Sequence, residues 1–198
     1  DFCLSRGLGD VYKRQVHELQ QVVTPDTTIA LDVGSHYIWM SRYFAADHAR
    51  QVLVSNGQQT LGVALPWAMA AGLLRPDHPV ISVSGDGGFL FTATELETAK
   101  RLGSRFVHLI WNSASYNMVE FQEQAHYGRI AGVKLGHYDV EAFAAAFGCK
   151  GYRISDADQL GPVLREALQA DCPVLIDIPI DYSDNLKLMQ NVHQDFIH

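Results

Sequence analysis

Apolar and polar positions along the chain fall into two alternating patterns. Short runs are apolar almost throughout, which is typical of strands that are covered on both faces of a sheet. Between them lie longer segments in which apolar residues recur at helical spacing. Because strands that alternate with helices form βαβ units, the pattern predicts an α/β fold: a doubly wound, mostly parallel sheet with helices on both faces.

The predicted strands span residues 28–33, 51–54, 80–84, 106–111, 151–154 and 174–178. The predicted helices span residues 38–44, 62–74, 94–102, 140–147 and 156–170. Asp139 is predicted to cap the helix that follows it, and Ser155 with Asp158 resembles a capping box. The segment 62–74 is rich in Ala and Gly, which predicts a tightly packed, buried helix.

The amino-terminal segment does not share these patterns. Residues 1–15 have no consistent period, and the pattern becomes readable only near Val16. We therefore predict that residues 1–15 are a foreign or linker segment and that residues 16–198 form one domain, since a chain of this length fits a single α/β core. The first segment also lacks the continuous apolar stretch of a secretory signal peptide.

Composition argues against several classes of function. The formal net charge of −7 disfavours a broad basic surface for nucleic acid. No apolar run approaches the ~18 residues that a membrane-spanning helix needs, so we expect a soluble protein that does not contact membranes. The three cysteines form no C-x-x-C pair, and their odd number favours a reducing, cytoplasmic location. Cys149 and Cys172 lie in apolar surroundings and are predicted to be core residues.

The strongest candidate for chemistry is the glycine turn that follows the strand at residues 80–84. It consists of Gly85, Asp86, Gly87 and Gly88. Glycines allow the backbone to approach a phosphate, and N–H groups at the start of a helix donate to phosphate oxygens. Asp86 offers a hard oxygen ligand for Mg²⁺ at the carboxyl end of the strand. The alternative is a plain strand-to-helix turn in which Asp86 caps the helix.

Polar turns also follow three other predicted strands. The turn after residues 106–111 is expected at the same sheet edge as Asp86, because the carboxyl ends of parallel strands lie together. The turn after residues 28–33 contains His36, which with the neighbouring amides is predicted to hold a diphosphate, or else is a structural histidine. The polar loop after residues 51–54 precedes the Ala-rich helix and, taken alone, is consistent with an ordinary loop.

The pairing of G-D-G with a second polar turn resembles the motif of thiamine-diphosphate enzymes. Further blocks extend the resemblance over residues 16–198 and bring it nearest to the acetolactate synthases of catabolic type. These blocks are S-N-G-Q-Q-T at 55–60, G-D-G-G-F-L at 85–90, E-L-E-T-A at 95–99, Y-N-M-V at 116–119 and I-D-Y-S-D-N at 180–185. The resemblance implies the diphosphate-binding domain of the thiamine-diphosphate-binding fold, as one piece of a larger enzyme.

The same resemblance implies thiamine diphosphate and Mg²⁺ as cofactors. It assigns Asp86, Ser113 and the carbonyl of Ser115 as metal ligands. The other implied cofactor-binding residues are Gly34, Ser35, His36, Gln59, Leu61, Gly85, Gly87, Gly88, Tyr116 and Met118. The carbonyl of Gln59 would accept from the aminopyrimidine ring, and the bulk of Leu61 would force the bent cofactor shape. Ser113 departs from the family pattern, which has Asn or Asp there, so weaker Mg²⁺ binding is predicted.

The implied reaction is the transferase chemistry of acetolactate synthase, which condenses two pyruvates to 2-acetolactate with loss of CO₂, in acetoin or branched-chain amino acid biosynthesis. The glutamate that activates the cofactor is expected in a missing N-terminal domain, so no catalytic residue is assigned here and the chain alone is predicted to be inactive. The site is expected at a subunit interface of a homodimer or tetramer.

Two alternatives to this reaction stay open. One is another thiamine-diphosphate enzyme, such as pyruvate oxidase or a decarboxylase. The other is a binding-only module whose metal site is impaired by Ser113. A nicotinamide-binding fold is disfavoured because no G-x-G-x-x-G follows the first strand.

Overall fold

The computed structural model of the chain describes residues 11–183 and residue 185. The strands in this part are β1 (Thr28–Leu31), β2 (Val52–Val54), β3 (Val80–Gly85), β4 (Val107–Asn112), β5 (Lys150–Arg153) and β6 (Val174–Pro179). The helices are α1 (Val11–Val22), α2 (Ser35–Tyr43), α3 (Ala64–Leu74), α4 (Asp86–Thr92), α5 (Leu96–Arg101), α6 (Asn117–Tyr127), α7 (Val140–Ala146) and α8 (Leu160–Ala167). Short 3₁₀ helices at Ala93–Glu95 and Ala157–Gln159 lead into α5 and α8. None of the helices described is long and apolar enough to cross a membrane.

These strands form one sheet in which every neighbouring pair is parallel. Their order across the sheet is β2-β1-β3-β4-β6-β5, which confirms the predicted α/β architecture. The chain moves outward from β1 to β2, then returns past β1 to β3 and continues in the opposite direction. The carboxyl ends of β1 and β3 therefore flank the point at which the strand order reverses, where open α/β sheets commonly bind ligands.

Two hydrophobic clusters cover the sheet. One contains side chains of α1, α2 and α8, and the other contains side chains of α3, α4, α5 and α7. Adjacent residues of β4 go to opposite clusters, with Leu109 in the first and Ile110 in the second. Since neighbouring side chains of a strand point to opposite faces, this division confirms that helices pack on both sides of the sheet.

Several element boundaries differ from those predicted. β1 ends at Leu31 rather than at residue 33, so Asp32 lies in the turn, and α2 begins at Ser35 rather than at Ile38. The helices α1, α4 and α6 have no counterpart among the predicted helices. In α6 only Phe121 is buried, so its apolar period is weak. Because α1 begins at Val11, it crosses the boundary that we place between residues 15 and 16; the origin of residues 1–15 stays a prediction.

One of the two predicted helix caps is confirmed, and the other is wrong by one residue. The side chain of Asp139 accepts a hydrogen bond from Ala142 N at 2.9 Å, which caps α7 as predicted. The capping box predicted near residue 155 pairs Asp156 with Gln159 instead of Ser155 with Asp158. The side chain of Gln159 accepts from the backbone N–H of Asp156 at 3.3 Å, and the side chain of Asp156 accepts from the backbone N–H of Asp158 at 2.8 Å.

The predicted burial of residues 62–74 holds for only one face of α3. Ala64, Leu65 and Ala68 are buried, whereas Leu74 is 83% exposed. The helix is apolar on all sides, so composition alone could not show which face packs against the sheet. Both cysteines expected in the core are buried there, and Cys3 lies outside the described residues.

Candidate functional site

A cavity of about 280 Å³ opens at the carboxyl edge of the sheet. The segments that follow β1, β2, β3 and β4 all contribute to its wall, so the predicted polar turns meet at one place. Every residue predicted to bind the cofactor lines this cavity: Gly34, Ser35, His36, Gln59, Leu61, Gly85, Asp86, Gly87, Gly88, Ser113, Ser115, Tyr116 and Met118. Their individual roles stay predictions.

Asp86 is a buried carboxylate that connects two of these turns. Its Oδ1 accepts from Gly87 N at 3.0 Å, and its Oδ2 accepts from Ser115 N at 3.0 Å. The N-cap of α4 is Gly85, so the side chain of Asp86 bridges to the second turn rather than serving as the N-cap. Burial raises the pKa of Asp86, and no basic side chain in the described part of the chain acts against this. A cation would therefore stabilise the ionised carboxylate.

Ser113 and Ser115 place two further oxygens beside Asp86. Ser113 Oγ donates to the carbonyl oxygen of Ser115 at 3.3 Å. Adjacent ligands of an octahedral Mg²⁺ lie ~3.0 Å apart, because each is ~2.1 Å from the ion. The spacing and the oxygen chemistry of these residues therefore fit Mg²⁺. Across residues 11–183 and 185, no group of three or more His, Cys, Asp or Glu is placed to hold a metal, so the fit is to a hard cation held by one carboxylate and neutral oxygens.

The turn that carries Ser113 is anchored from the neighbouring strands. Asn112 Oδ1 accepts from Ala114 N at 3.0 Å, and Asn112 Nδ2 donates to Asp177 Oδ1 at 2.9 Å. Asp177 is fully buried in β6 and forms an ion pair with Arg153 of β5. Ala114 has a φ of +54°, which is uncommon for a residue other than glycine. The anchored Asn112 side chain stabilises this turn, and its partners could not be predicted from neighbouring residues.

Positions 87 and 88 require glycine, because side chains of neighbouring segments lie very close to the backbone at the start of α4. A Cβ at position 87 would lie 2.4 Å from Cε1 of Tyr116, and a Cβ at position 88 would lie 2.7 Å from Oδ2 of Asp32. Both distances are far inside van der Waals contact. Glycine at these positions lets the backbone N–H groups of α4 face the cavity without a side chain in front of them.

His36 lines the cavity as a neutral ring. Its Nε2 lies 2.9 Å from the carbonyl oxygen of Asp32, and because a carbonyl only accepts, Nε2 carries the proton. Burial lowers the pKa of His36 to about 4, so the ring is uncharged at neutral pH and its Nδ1 is an acceptor. In this tautomer the ring has no N–H left for a phosphate, and the amides at Gly34 and Ser35 are the donors that the turn offers.

The loop after β2 brings Gln59 and Leu61 to the cavity. Gln59 adopts a left-handed φ of +50°, and its N–H donates to the carbonyl of Ser55 at 3.1 Å. Leu61 is half-buried and contributes an apolar side chain to the lining. The cavity therefore combines groups suited to a phosphate and a cation with an apolar residue suited to an uncharged ring.

The sequence profile described as "Thiamine pyrophosphate enzyme, C-terminal TPP binding domain" matches residues 32–178. The chain belongs to this family. Thiamine pyrophosphate is another name for thiamine diphosphate, and the matched residues begin at the turn after β1 and end in β6, so they include every turn of the cavity.

Relatives of this thiamine pyrophosphate-binding domain include acetolactate synthases. The chain is 51% identical over 173 residues to the acetolactate synthase of Bacillus subtilis (strain 168), covering 87% of the chain and 30% of the relative. It is 49% identical over 180 residues to the catabolic acetolactate synthase of Raoultella terrigena, covering 91% of the chain and 32% of the relative. It is 33% identical over 169 residues to a probable acetolactate synthase large subunit of Methanococcus aeolicus, covering 84% of the chain and 28% of the relative. The chain thus spans about a third of the length of these relatives.

The thiamine pyrophosphate-binding domain also contains a buried polar cluster that sequence reasoning missed. Trp39 Nε1 donates to Asn185 Oδ1 at 2.9 Å, which fixes the orientation of the Asn185 amide. Asn185 Nδ2 then donates to Ser35 Oγ at 2.9 Å and to Asn117 Oδ1 at 2.6 Å. The cluster joins the turn after β1, the start of α6 and the segment after β6. Its signals in the sequence were Ser35 and the blocks at 116–119 and 180–185, which similarity alone singled out and which did not show that these residues meet.

Proposed function

We propose that this chain is the cofactor-binding domain of an acetolactate synthase that condenses two pyruvates to 2-acetolactate with loss of CO₂. The observation that carries the proposal is the hydrogen bond between Asp86 and the backbone of Ser115, which brings the glycine turn and the second polar turn together beside the strand-order reversal. The identities of 51% and 49% to acetolactate synthases support the choice of reaction within the family.

Different residues of the cavity would hold different parts of the cofactor. Asp86, Ser113 and the carbonyl of Ser115 would hold Mg²⁺ against the diphosphate, and the amides after β1 and β3 would donate to its oxygens. Leu61 would press the aminopyrimidine ring toward the thiazolium ring, with the carbonyl of Gln59 accepting from it. Bound thiamine diphosphate supplies the electron sink for carbon–carbon chemistry on pyruvate.

The complete site requires more than this chain. The activating glutamate is expected in a domain that precedes it in the full-length protein, and that domain would come from a partner subunit of a homodimer or tetramer. We further propose a cytoplasmic enzyme with pyruvate as substrate, acting in acetoin or branched-chain amino acid biosynthesis. Neither nucleic acid nor a membrane is proposed as a partner, in keeping with the net charge of −7.

The test is calorimetric titration of the full-length protein with thiamine diphosphate, with and without Mg²⁺. We expect saturable binding that requires the metal, together with acetolactate formation from pyruvate. The 198-residue chain by itself is expected to form no acetolactate, and detectable turnover by the purified chain would contradict the placement of the activating group outside it. Formation of acetate or acetaldehyde by the full-length protein would instead identify a pyruvate oxidase or a decarboxylase.

A second candidate function is favoured by one observation, the hydroxyl of Ser113 at a position where the family has a stronger ligand. The candidate is a module that binds the cofactor but has lost productive metal binding. Hard cations prefer carboxylate and amide oxygens, so a hydroxyl weakens the site. Cofactor binding by the full-length protein without turnover would support this candidate.

The Ser113→Asp variant is expected to bind Mg²⁺ about tenfold more tightly, which corresponds to ~1.4 kcal/mol. The reason is that a second carboxylate would join Asp86 around the ion. The measurement is calorimetric titration with Mg²⁺ at saturating thiamine diphosphate. Ser155→Asp, which adds the same charge at an exposed position remote from the cavity, is the control. Unchanged affinity in Ser113→Asp would refute Ser113 as a ligand position.

A further inference from the structure

Asp32 is a second buried carboxylate at this edge of the sheet, and no role was assigned to it. It lies directly after β1 and is 1% exposed. Its Oδ1 accepts from its own neighbour, Val33 N, at 2.9 Å, and its Oδ2 accepts from Gly62 N at 2.8 Å. The second bond is long-range in sequence, because it ties the turn after β1 to the loop after β2.

Gly62 is held from both sides. Its N–H donates to Asp32, and its carbonyl accepts from Thr92 Oγ1 at 2.9 Å. Its φ of +80° is left-handed, and a Cβ there would lie 2.6 Å from Cβ of Phe91. The peptide groups on both sides of Gly62 are therefore fixed in one conformation. Leu61, which lines the cavity, is the residue immediately before it.

The space around the Asp32 carboxylate is also fixed. The backbone of Gly88 in α4 comes so close that a Cβ there would lie 2.7 Å from Oδ2 of Asp32. Burial raises the pKa of Asp32 to about 6, while the amides of Val33, Gly62 and Val63 lower it. At neutral pH the side chain is therefore ionised and able to accept from both amides through separate oxygens.

We propose that Asp32 is a positioning residue for the cofactor: its carboxylate holds the amide of Gly62 and thereby sets Leu61 against the cavity. This rests on the proposed function, in which Leu61 supports the aminopyrimidine ring. Asp32 acts on Leu61 through its hydrogen bond to the loop after β2. Its side chain also packs against Gly88, and its own carbonyl accepts from His36, but a substitution that keeps the shape of the side chain keeps both contacts. Loss of the bond to Gly62 is therefore expected to weaken recognition of the organic part of the cofactor and to leave recognition of the diphosphate intact.

The test compares two probes on the full-length protein at saturating Mg²⁺: thiamine diphosphate and inorganic diphosphate. In Asp32→Asn the side chain keeps its shape, but its amide group offers one acceptor oxygen to two backbone donors, so one hydrogen bond is lost. We expect the affinity for thiamine diphosphate to fall about tenfold and the affinity for inorganic diphosphate to change less than about twofold. In turnover, we expect the apparent affinity for cofactor to fall more than kcat.

Thr92→Val provides a second variant that tests the same loop with a smaller structural change. It removes the hydrogen bond to the carbonyl of Gly62 while keeping the shape of the side chain, so a smaller loss in the same direction is expected. Thr98→Val, at a half-buried position of α5 that does not line the cavity, is its matched control and is expected to bind both probes as the unaltered protein does. Asp139→Asn, at the cap of α7, is the corresponding control for Asp32→Asn.

Equal losses for the two probes would overturn the proposal, because they would mean that Asp32 supports the whole site or the fold. Unaltered affinity for thiamine diphosphate in both Asp32→Asn and Thr92→Val would overturn it as well. If the unaltered protein binds inorganic diphosphate but shows no preference for thiamine diphosphate, the proposed function itself fails, and the positioning role fails with it. The unaltered protein and the variants thus separate the two failures.

Discussion

Asp86→Asn is expected to weaken the Mg²⁺-dependent binding of thiamine diphosphate by at least about 100-fold, or ~2.7 kcal/mol. The carboxylate is buried, both its oxygens accept backbone N–H groups, and no basic side chain in the described part of the chain compensates its charge. An asparagine removes the only charge in the proposed ligand set and turns an N–H group toward a backbone donor. The measurement is calorimetric titration with thiamine diphosphate at several Mg²⁺ concentrations.

The matched control for Asp86→Asn is Asp139→Asn. Asp139 also accepts a hydrogen bond from a backbone amide, but at the cap of α7 and away from the cavity. Its substitution is expected to lower the free energy of unfolding by about 1 kcal/mol or less and to leave cofactor affinity unaltered. If Asp86→Asn binds as tightly as the unaltered protein, or if binding in the unaltered protein is independent of Mg²⁺, the metal assignment is wrong.

The second large effect concerns pH and the buried ring of His108. This residue is fully buried in β4, with Nδ1 2.7 Å from Ser82 Oγ and Nε2 2.8 Å from Ser84 Oγ. Burial, followed by the nearby His36, lowers the pKa of His108 to about 3. Below pH 6.5 the unfolded chain takes up a proton at this position and the folded chain does not, so the free energy of unfolding falls as pH decreases.

His108→Gln, which cannot be protonated, is expected to lose less stability on acidification than the unaltered chain. Between pH 6.5 and pH 4.5 the difference should amount to about 2 kcal/mol, because the slope grows from half of ~1.4 kcal/mol per pH unit at pH 6.5 to nearly that full value at pH 4.5. His36, with a pKa lowered to about 4, acts in the same direction, while Asp32, with a pKa raised to about 6, acts in the opposite one. Both are present in the two proteins and cancel in the comparison.

Urea unfolding at a series of pH values measures this difference. His48→Gln, at an exposed position, is the control and should follow the unaltered chain. At neutral pH the His108→Gln variant is expected to be the less stable protein, since its side chain fits the two serine hydroxyls less well. A stability difference that stays constant from pH 6.5 to pH 4.5 would show that His108 does not resist protonation in the fold.

Much of the fold was predictable because its signals are local. Strands covered on both faces are apolar throughout, and the glycine turn at residues 85–88 follows such a strand directly, so the order of elements and the turns could be read from neighbouring residues. By contrast, α6 has only Phe121 buried, so no helix was predicted there. The helix α3 was predicted, but it is apolar on every side, so its buried face could not be predicted.

The contacts that fix the site could not be predicted, because they join residues that are distant along the chain. Asp32 accepts from Gly62, and Asn185 donates to Ser35, across separations of 30 and 150 residues. The tautomer of His36 depends on a backbone carbonyl that the ring reaches only after the turn has folded. Sequence patterns indicated which turns carry the chemistry, but the partners of each side chain follow from how the strands are ordered in the sheet.

The division of the cavity among four strand ends has a consequence for synthesis on the ribosome. The segments after β1, β2 and β3 leave the ribosome first, but the oxygens of Ser113 and Ser115 exist only once β4 has been made. Asn185, which holds Ser35 and Asn117 together, follows after β6. A nascent chain that stops before these segments presents glycine turns without the residues that close them, so we expect cofactor uptake to be a late event that completes folding.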